Sequence, residues 1–322
     1  MSRHPIGRRS FLKGAGAAAF MAAGGLQVEG IDAQEGVPNS SGTERPRLKA
    51  PAGACDCHHH IYDAVRFPPP AKAPAAIQPD ARVEDYRLLQ RRIGTTRNVV
   101  VTPAAYVTDN RVTLDAIARL GVNARGVAVV HPDVTEAELK TLAAGGIRGI
   151  RFALTNPGNA ATTIDMIEPL SKRVAALGWH VQINMSADQV VALEDVWNRL
   201  PSGIVFDHVG HVSPAGVSHP AYSVIRRLID KSKTWVKLSV TYDNTKDRPP
   251  AYADVTRVAQ AYVTGAAERL VWGSNWPHPN ETQKPDDAVL FDLMTRWAPG
   301  EATRHRILVE NPQILYGFAK SR

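Results

Sequence analysis

The sequence predicts a (β/α)8 barrel, and three observations lead there. Eight short apolar runs alternate with amphipathic stretches across about 250 residues. Polar, chemistry-bearing residues gather at the C-terminal ends of those runs. No glycine-rich phosphate loop follows the first run, which disfavours the rival doubly wound open sheet.

The runs fall in order. The first is "CDCHHHIY" (55–62), followed by a proline-rich loop at 67–79. Then come "RNVVVTPAAY" (97–106), "ARGVAVVHP" (124–132), "GIRGIRFAL" (146–154) and "WHVQINM" (179–185). "GIVFDHVGH" (203–211), "WVKLSVTYD" (235–243) and "RLVWGSNWPHP" (269–279) complete the eight. Between them lie helix-period stretches such as "NRVTLDAIARLG", "VTEAELKTLAAG" and "IDMIEPLSKRVAALG", each ending in glycine as helix C-caps do. A last helical region, "EATRHRILVENPQILYGF", closes the barrel domain, which spans 54–322.

The N-terminal segment reads differently. "RRSFLKG" (8–14) and the mildly apolar alanine-rich run after it have the form of a twin-arginine export signal over 1–33, which places the mature protein in the periplasm or otherwise outside the cytoplasm. The run is too short and glycine-rich for a membrane span, so none is expected once the signal is removed. Residues 34–53, rich in Pro, Gly and Ser, read as a flexible leader. The formal charge of +7 loses four basic and two acidic groups with the signal, leaving +5. There is no Lys/Arg block and no aromatic-basic interleaving, which argues against nucleic acid as a partner and leaves a small anionic substrate compatible. Composition says nothing about oligomeric state. The two cysteines, Cys55 and Cys57, are spaced poorly for a disulfide.

In such a barrel the catalytic groups come from the strand ends. Strict alternation puts Asp56, His58 and His60 on the inner face of the first strand and Cys55, Cys57 and His59 toward the helices. The sixth run supplies His208 and the eighth Asn275, with His278 on the loop after it. Arg151, from the fourth, suits a substrate carboxylate. Gln182 and Asn184 end the fifth run on one face. Lys237, Ser239 and Tyr242 come from the seventh, and Tyr106 follows the second. The catalytic candidates are therefore His58, His60, His208 and Asn275. The substrate-binding candidates are Arg151, Tyr106, Gln182, Asn184, Tyr242 and His278.

The His-x-His of the first run, the "DH" of the sixth, "VWGSNWPHP" and "RHRILVENPQILYGF" together resemble the amidohydrolase superfamily. The likeness covers roughly residues 50–320 and is narrowest to the branch holding 2-pyrone-4,6-dicarboxylate lactonase and D-galactarolactone isomerase. It implies a distorted (β/α)8 barrel and action at the carbonyl of a small carboxylated lactone of sugar-acid type. His58, His60, His208 and Arg151 match the lactonase pattern. Asn275 replaces its aspartate, as in the isomerase, so hydrolysis and isomerisation both stay open. The resemblance further implies that binuclear members need a lysine or glutamate on strand 4, a histidine on strand 5 and an aspartate on strand 8. Those positions are not so filled here, and no metal or other cofactor is expected. A single zinc on three histidines, in a hydrolase or decarboxylase-like member, is the alternative. A non-catalytic periplasmic binding protein is another.

Overall fold

The computed structural model describes residues 36–71, 80–243 and 245–320. The segment read as an export signal, 1–33, lies outside the described residues. Eight parallel strands form one sheet in chain order: β1 (Cys55–His59), β2 (Arg97–Val101), β3 (Ala124–Ala128), β4 (Ile147–Ala153), β5 (His180–Asn184), β6 (Gly203–Phe206), β7 (Thr234–Leu238) and β8 (Leu270–Trp272). The helices α1 (Val83–Ile93), α2 (Arg111–Leu120), α3 (Glu136–Ala144), α4 (Ile167–Ala175), α5 (Ala187–Ala192), α6 (Glu194–Arg199), α7 (Pro220–Asp230), α8 (Ala253–Ala266) and α9 (Asp287–Trp297) lie between and after them. The chain is a (β/α)8 barrel.

Two apolar layers hold it. Outward side chains such as Val100, Ile150, Phe152, Val181, Phe206 and Trp272 pack with the helices in the main core. Inward ones, among them Val99, Val101, Val127, Val205 and Val271, form a second cluster that Tyr316 and Phe318 join from the end of the chain. Gly149 pairs with His180 on the neighbouring strand, and a Cβ there would stand 2.5 Å from the imidazole. Only glycine leaves room for that ring.

The seam between β1 and β8 is closed largely by one side chain. Asp56 accepts hydrogen bonds from Ser274 N (2.9 Å) and Ser274 Oγ (2.6 Å), and Asn275 N donates to His58 O at 2.7 Å. The strands approach so closely that a Cβ on Gly273 would sit 2.6 Å from His58 Cβ.

Strict alternation fails in β1. Asp56 pairs with Asn98, but His59 pairs with Val100, so β1 carries an extra residue between them. This β-bulge resets the faces. Cys55 and Cys57 point into the inner cluster, not toward the helices. Asp56 turns outward, where Tyr86 of α1 donates to it at 3.1 Å. His59 alone keeps its expected outward place, stacked on Tyr86 at 3.5 Å. His58 and His60 stay on the site side.

The stretch read as a flexible leader is bound down over 36–53. Val37 is buried, Trp276 Nε1 donates to Pro38 O at 2.7 Å, and Asp292 accepts from Leu48 N at 2.8 Å. Arg92, 3 % exposed, donates to Glu44 O, Ser40 Oγ and Ser41 O. Most of these bonds run to the backbone of the segment, which its side-chain composition does not report. Among the described residues no helix is long and apolar enough to cross a membrane.

Candidate active site

The C-terminal ends of the strands open into a cavity of about 890 Å3. Backbone strain collects around it. His208, Val209, Gly210 and His211 form one left-handed turn with φ between 51° and 69°, and Val240, Asn275 and His278 also have positive φ. A left-handed conformation costs about 1–2 kcal/mol per non-glycine residue. Three such residues in one turn after β6 mark a place where position outweighs local comfort. The turn aims His208 and His211 at the cavity.

Of the ten residues expected in the site, His60, Arg151, Asn184, His208, Tyr242 and Asn275 line the cavity. The other four do not. His58 is fully buried one layer below His60, with their Nε2 atoms 3.3 Å apart. Gln182 is also below, its amide spent on Asp207 and Lys237. Tyr106 turns its hydroxyl to Asp63 N at 3.1 Å, and Tyr62 holds the wall beside it. His278 lies behind Tyr242, buried between it and Asp287.

Beneath the cavity sits a charged network. Asp207 Oδ2 accepts from Arg151 Nε (3.2 Å) and Gln182 Nε2 (3.0 Å). Its Oδ1 lies 3.3 Å from His58 Nδ1 and 3.7 Å from Lys237 Nζ. Burial by itself pushes the Asp207 carboxyl up. Contact with His58 and the cations of Lys237 and Arg151 outweigh that and hold it well below the ordinary carboxylate range. Burial pulls Lys237 down to about 8, against the opposing pull of Asp207. Its ammonium has three acceptors for three N–H groups: Gln182 Oε1 (2.7 Å), Cys57 O (2.9 Å) and His58 Nδ1 (3.3 Å).

That arrangement assigns the histidine protons. His58 Nδ1 accepts from Lys237, since Asp207 Oδ1 is not aligned for a hydrogen bond. His58 then carries its proton on Nε2 and donates to His60 Nε2. His60 donates from Nδ1 to Val101 O at 2.8 Å. Burial, then the charge of Arg151, takes His60 down to about 3. Burial, with Lys237 second, sends His58 well below its usual value, and burial does the same to His208. All three rings are neutral at neutral pH. His208 is held at Nδ1 by Ser239 Oγ (2.9 Å), and His211 donates to Asn184 Oδ1 (2.7 Å).

Sequence reasoning passed over Asp207, the hub of this network. Its signal was an acid immediately before a strand-end histidine in the apolar run "GIVFDH". A carboxylate so placed is buried and must be paired. It also left Lys237 and His211 without a role.

A nearly closed parallel barrel, with paired histidines on β1, Asp–His after β6 and a polar cavity at the C-terminal mouth, defines an enzyme of the (β/α)8 class. More narrowly, the chain belongs to the amidohydrolase family, whose model matches residues 55–318. It is 34% identical to a 4-sulfomuconolactone hydrolase of Rhizobium radiobacter, over 88% of this chain and 98% of that one. It is 32% identical to a D-galactarolactone isomerase of Agrobacterium fabrum, over 86% and 94%. An apo crystal structure of an Agrobacterium tumefaciens protein superposes with a TM-score of 0.78 at 31% identity, covering 88% of this chain and 99% of that one.

Members of this superfamily that bind metal need converging donors, and the donors here fit that use poorly. Among the described residues the one set of three ligand atoms within 4.8 Å is His58, Asp207 and His208. His60 is not in it. Asp207 Oδ2 is taken by Arg151 and Gln182, its Oδ1 faces the Lys237 ammonium at 3.7 Å, and the His58 nitrogen turned away from Lys237 carries the proton shared with His60. The strand-4, strand-5 and strand-8 positions hold Arg151, Gln182 and Asn275.

Proposed function

We propose that the enzyme acts at the carbonyl of a small lactone that bears one carboxylate and several hydroxyls, and that it isomerises the ring without a metal. Arg151 anchors the carboxylate. Its Nε holds Asp207, while its terminal nitrogens have no hydrogen-bond partner among the described residues and face the cavity. No other Arg or Lys lines the cavity among the described residues, whereas Asp243 and Glu281 do. A second anion on the substrate would meet repulsion there; hydroxyls would meet Asn184, Ser186 and Asn280.

The observation that carries the reading is Asn275. An amide at the end of β8 cannot serve as a general base for water, but it can hold a hydroxyl in place. A hydroxyl of the substrate itself then attacks the lactone carbonyl, gaining from proximity. The new C–O bond forms as the original ring C–O bond breaks. The proton of the attacking hydroxyl passes through neutral His208 to the departing alkoxide, so none is released. The Lys237–His58–His60 chain holds the wall beside it in one protonation state. Hydrolysis is the second reading, favoured by the hydrolase named among the relatives.

A panel of carboxylated lactones, followed by NMR and a pH indicator with and without chelator, tests both readings. Isomer without acid release, unaffected by chelator, is the expected result. One proton released per turnover supports hydrolysis, and activity lost to chelator and restored by zinc overturns metal independence. We further propose export by the twin-arginine route, resting on residues 8–14.

A further inference from the structure

Four polar side chains stand in line from the cavity wall back to α9. Asp287 is the first residue of α9; His278 and Asn275 lie on the loop after β8; Tyr242 lies on the loop after β7. His278 Nε2 is 3.1 Å from Asp287 Oδ2, Tyr242 OH is 2.8 Å from His278 Nδ1, and Asn275 Nδ2 donates to Tyr242 OH at 2.9 Å. Asp287, His278 and Asn275 are all at least nine-tenths buried. Asn275 and His278 both hold positive φ to reach their places.

The links share one direction. The Asn275 amide gives a proton to the Tyr242 oxygen, so the phenol's own proton turns to His278 Nδ1. His278 then keeps its single proton on Nε2, against a carboxylate that can only accept. The far end of the chain is Asn275 Oδ1, which has no partner among the described residues and borders the cavity.

We propose that Asp287, His278 and Tyr242 are positioning residues that lock the Asn275 amide with its carbonyl oxygen toward the substrate. The site therefore offers an acceptor at this point. It selects a substrate with a free hydroxyl there and discriminates against an ether or keto oxygen. This rests on the lactone reading above for its substrate but not for its proton order. The same logic operates where a buried carboxylate fixes a histidine tautomer in hydrolases.

The test has two arms. In wild-type protein, 1H–15N NMR of the His278 ring reads the tautomer, with the proton expected on Nε2 alone. A proton on Nδ1 overturns the proposal whatever the activity. In kinetics on a turned-over lactone, Tyr242→Phe and Asp287→Asn should each lower kcat about 10- to 100-fold with KM changed less than about threefold. The double variant should be no slower than the worse single one. Independent, multiplicative losses, or losses confined to KM, overturn the proposal. If no lactone is turned over while the ring proton sits on Nε2, the functional reading fails and the relay stands. The NMR arm needs no variant, so misfolding of Asp287→Asn does not spare the proposal.

Discussion

Replacing Arg151 by methionine separates its two jobs. Toward the substrate, the terminal guanidinium nitrogens offer a charge-assisted pair to a carboxylate from a residue only 6 % exposed. Losing such a pair costs about 2–4 kcal/mol, which is a rise in KM of about 30- to 700-fold. Toward the protein, Arg151 Nε is one of several partners of Asp207. Gln182 Nε2 at 3.0 Å and Lys237 Nζ at 3.7 Å remain, so the stability loss should be limited to about 1–3 kcal/mol. The assay is KM for a carboxylated lactone beside that for its methyl ester, with denaturant unfolding run in parallel. The acid should suffer the full loss and the ester less than about threefold. Equal losses on both would show that Arg151 only supports Asp207, and the anchoring argument would fall.

Other perturbations report on separate parts of the account. Asn275→Asp places a carboxylate beside His60 and His208 and supplies a base for water, so product NMR should show less isomer and new hydrolysis, with proton release; Asn275→Ala should lose isomerisation and gain no hydrolysis. Mild acid should destabilise the fold. Burial holds His59, His60 and His180 at about 3, below the ordinary 6.5, so the unfolded chain takes up protons first as pH falls, and stability drops from pH 6.5 downward. Asp56, pushed up to about 6 by burial, works the other way between pH 6 and about 4. Three histidines against one aspartate leave a loss of about 3 kcal/mol per pH unit, with His58 and His208 adding to it; urea unfolding at pH 7.0 and 5.5 that gave equal stabilities would contradict this. Replacing Arg8 and Arg9 together by lysine should strand the precursor in the cytoplasm, and fractionation showing normal export would remove the twin-arginine reading.

The fold was legible because apolar period, glycine stops and strand count agreed along the whole barrel. The site was legible where it depends on strand ends: His60, Arg151, His208 and Asn275 all reach the cavity. What sequence could not deliver was depth. Gln182 and Asn184 share a face of β5, yet two residues of rise put one under Asp207 and the other in the cavity wall. A bulge moved the cysteines of β1 inward, and nothing in "CDCHHH" distinguishes a bulged strand from a regular one. His278 and Tyr242 both looked like substrate contacts because both follow strand ends, but of the two Tyr242 alone lines the cavity. That they bond each other, with Asp287 behind, depends on loop and helix packing far apart in sequence.

Turnover in 18O-labelled water tests the central claim most directly. If a hydroxyl of the substrate attacks the carbonyl, the product lactone has the mass of the substrate and carries no solvent oxygen. One 18O in a ring-opened hydroxy acid, formed at the rate of turnover, would show that water is the nucleophile and would contradict the role given to Asn275.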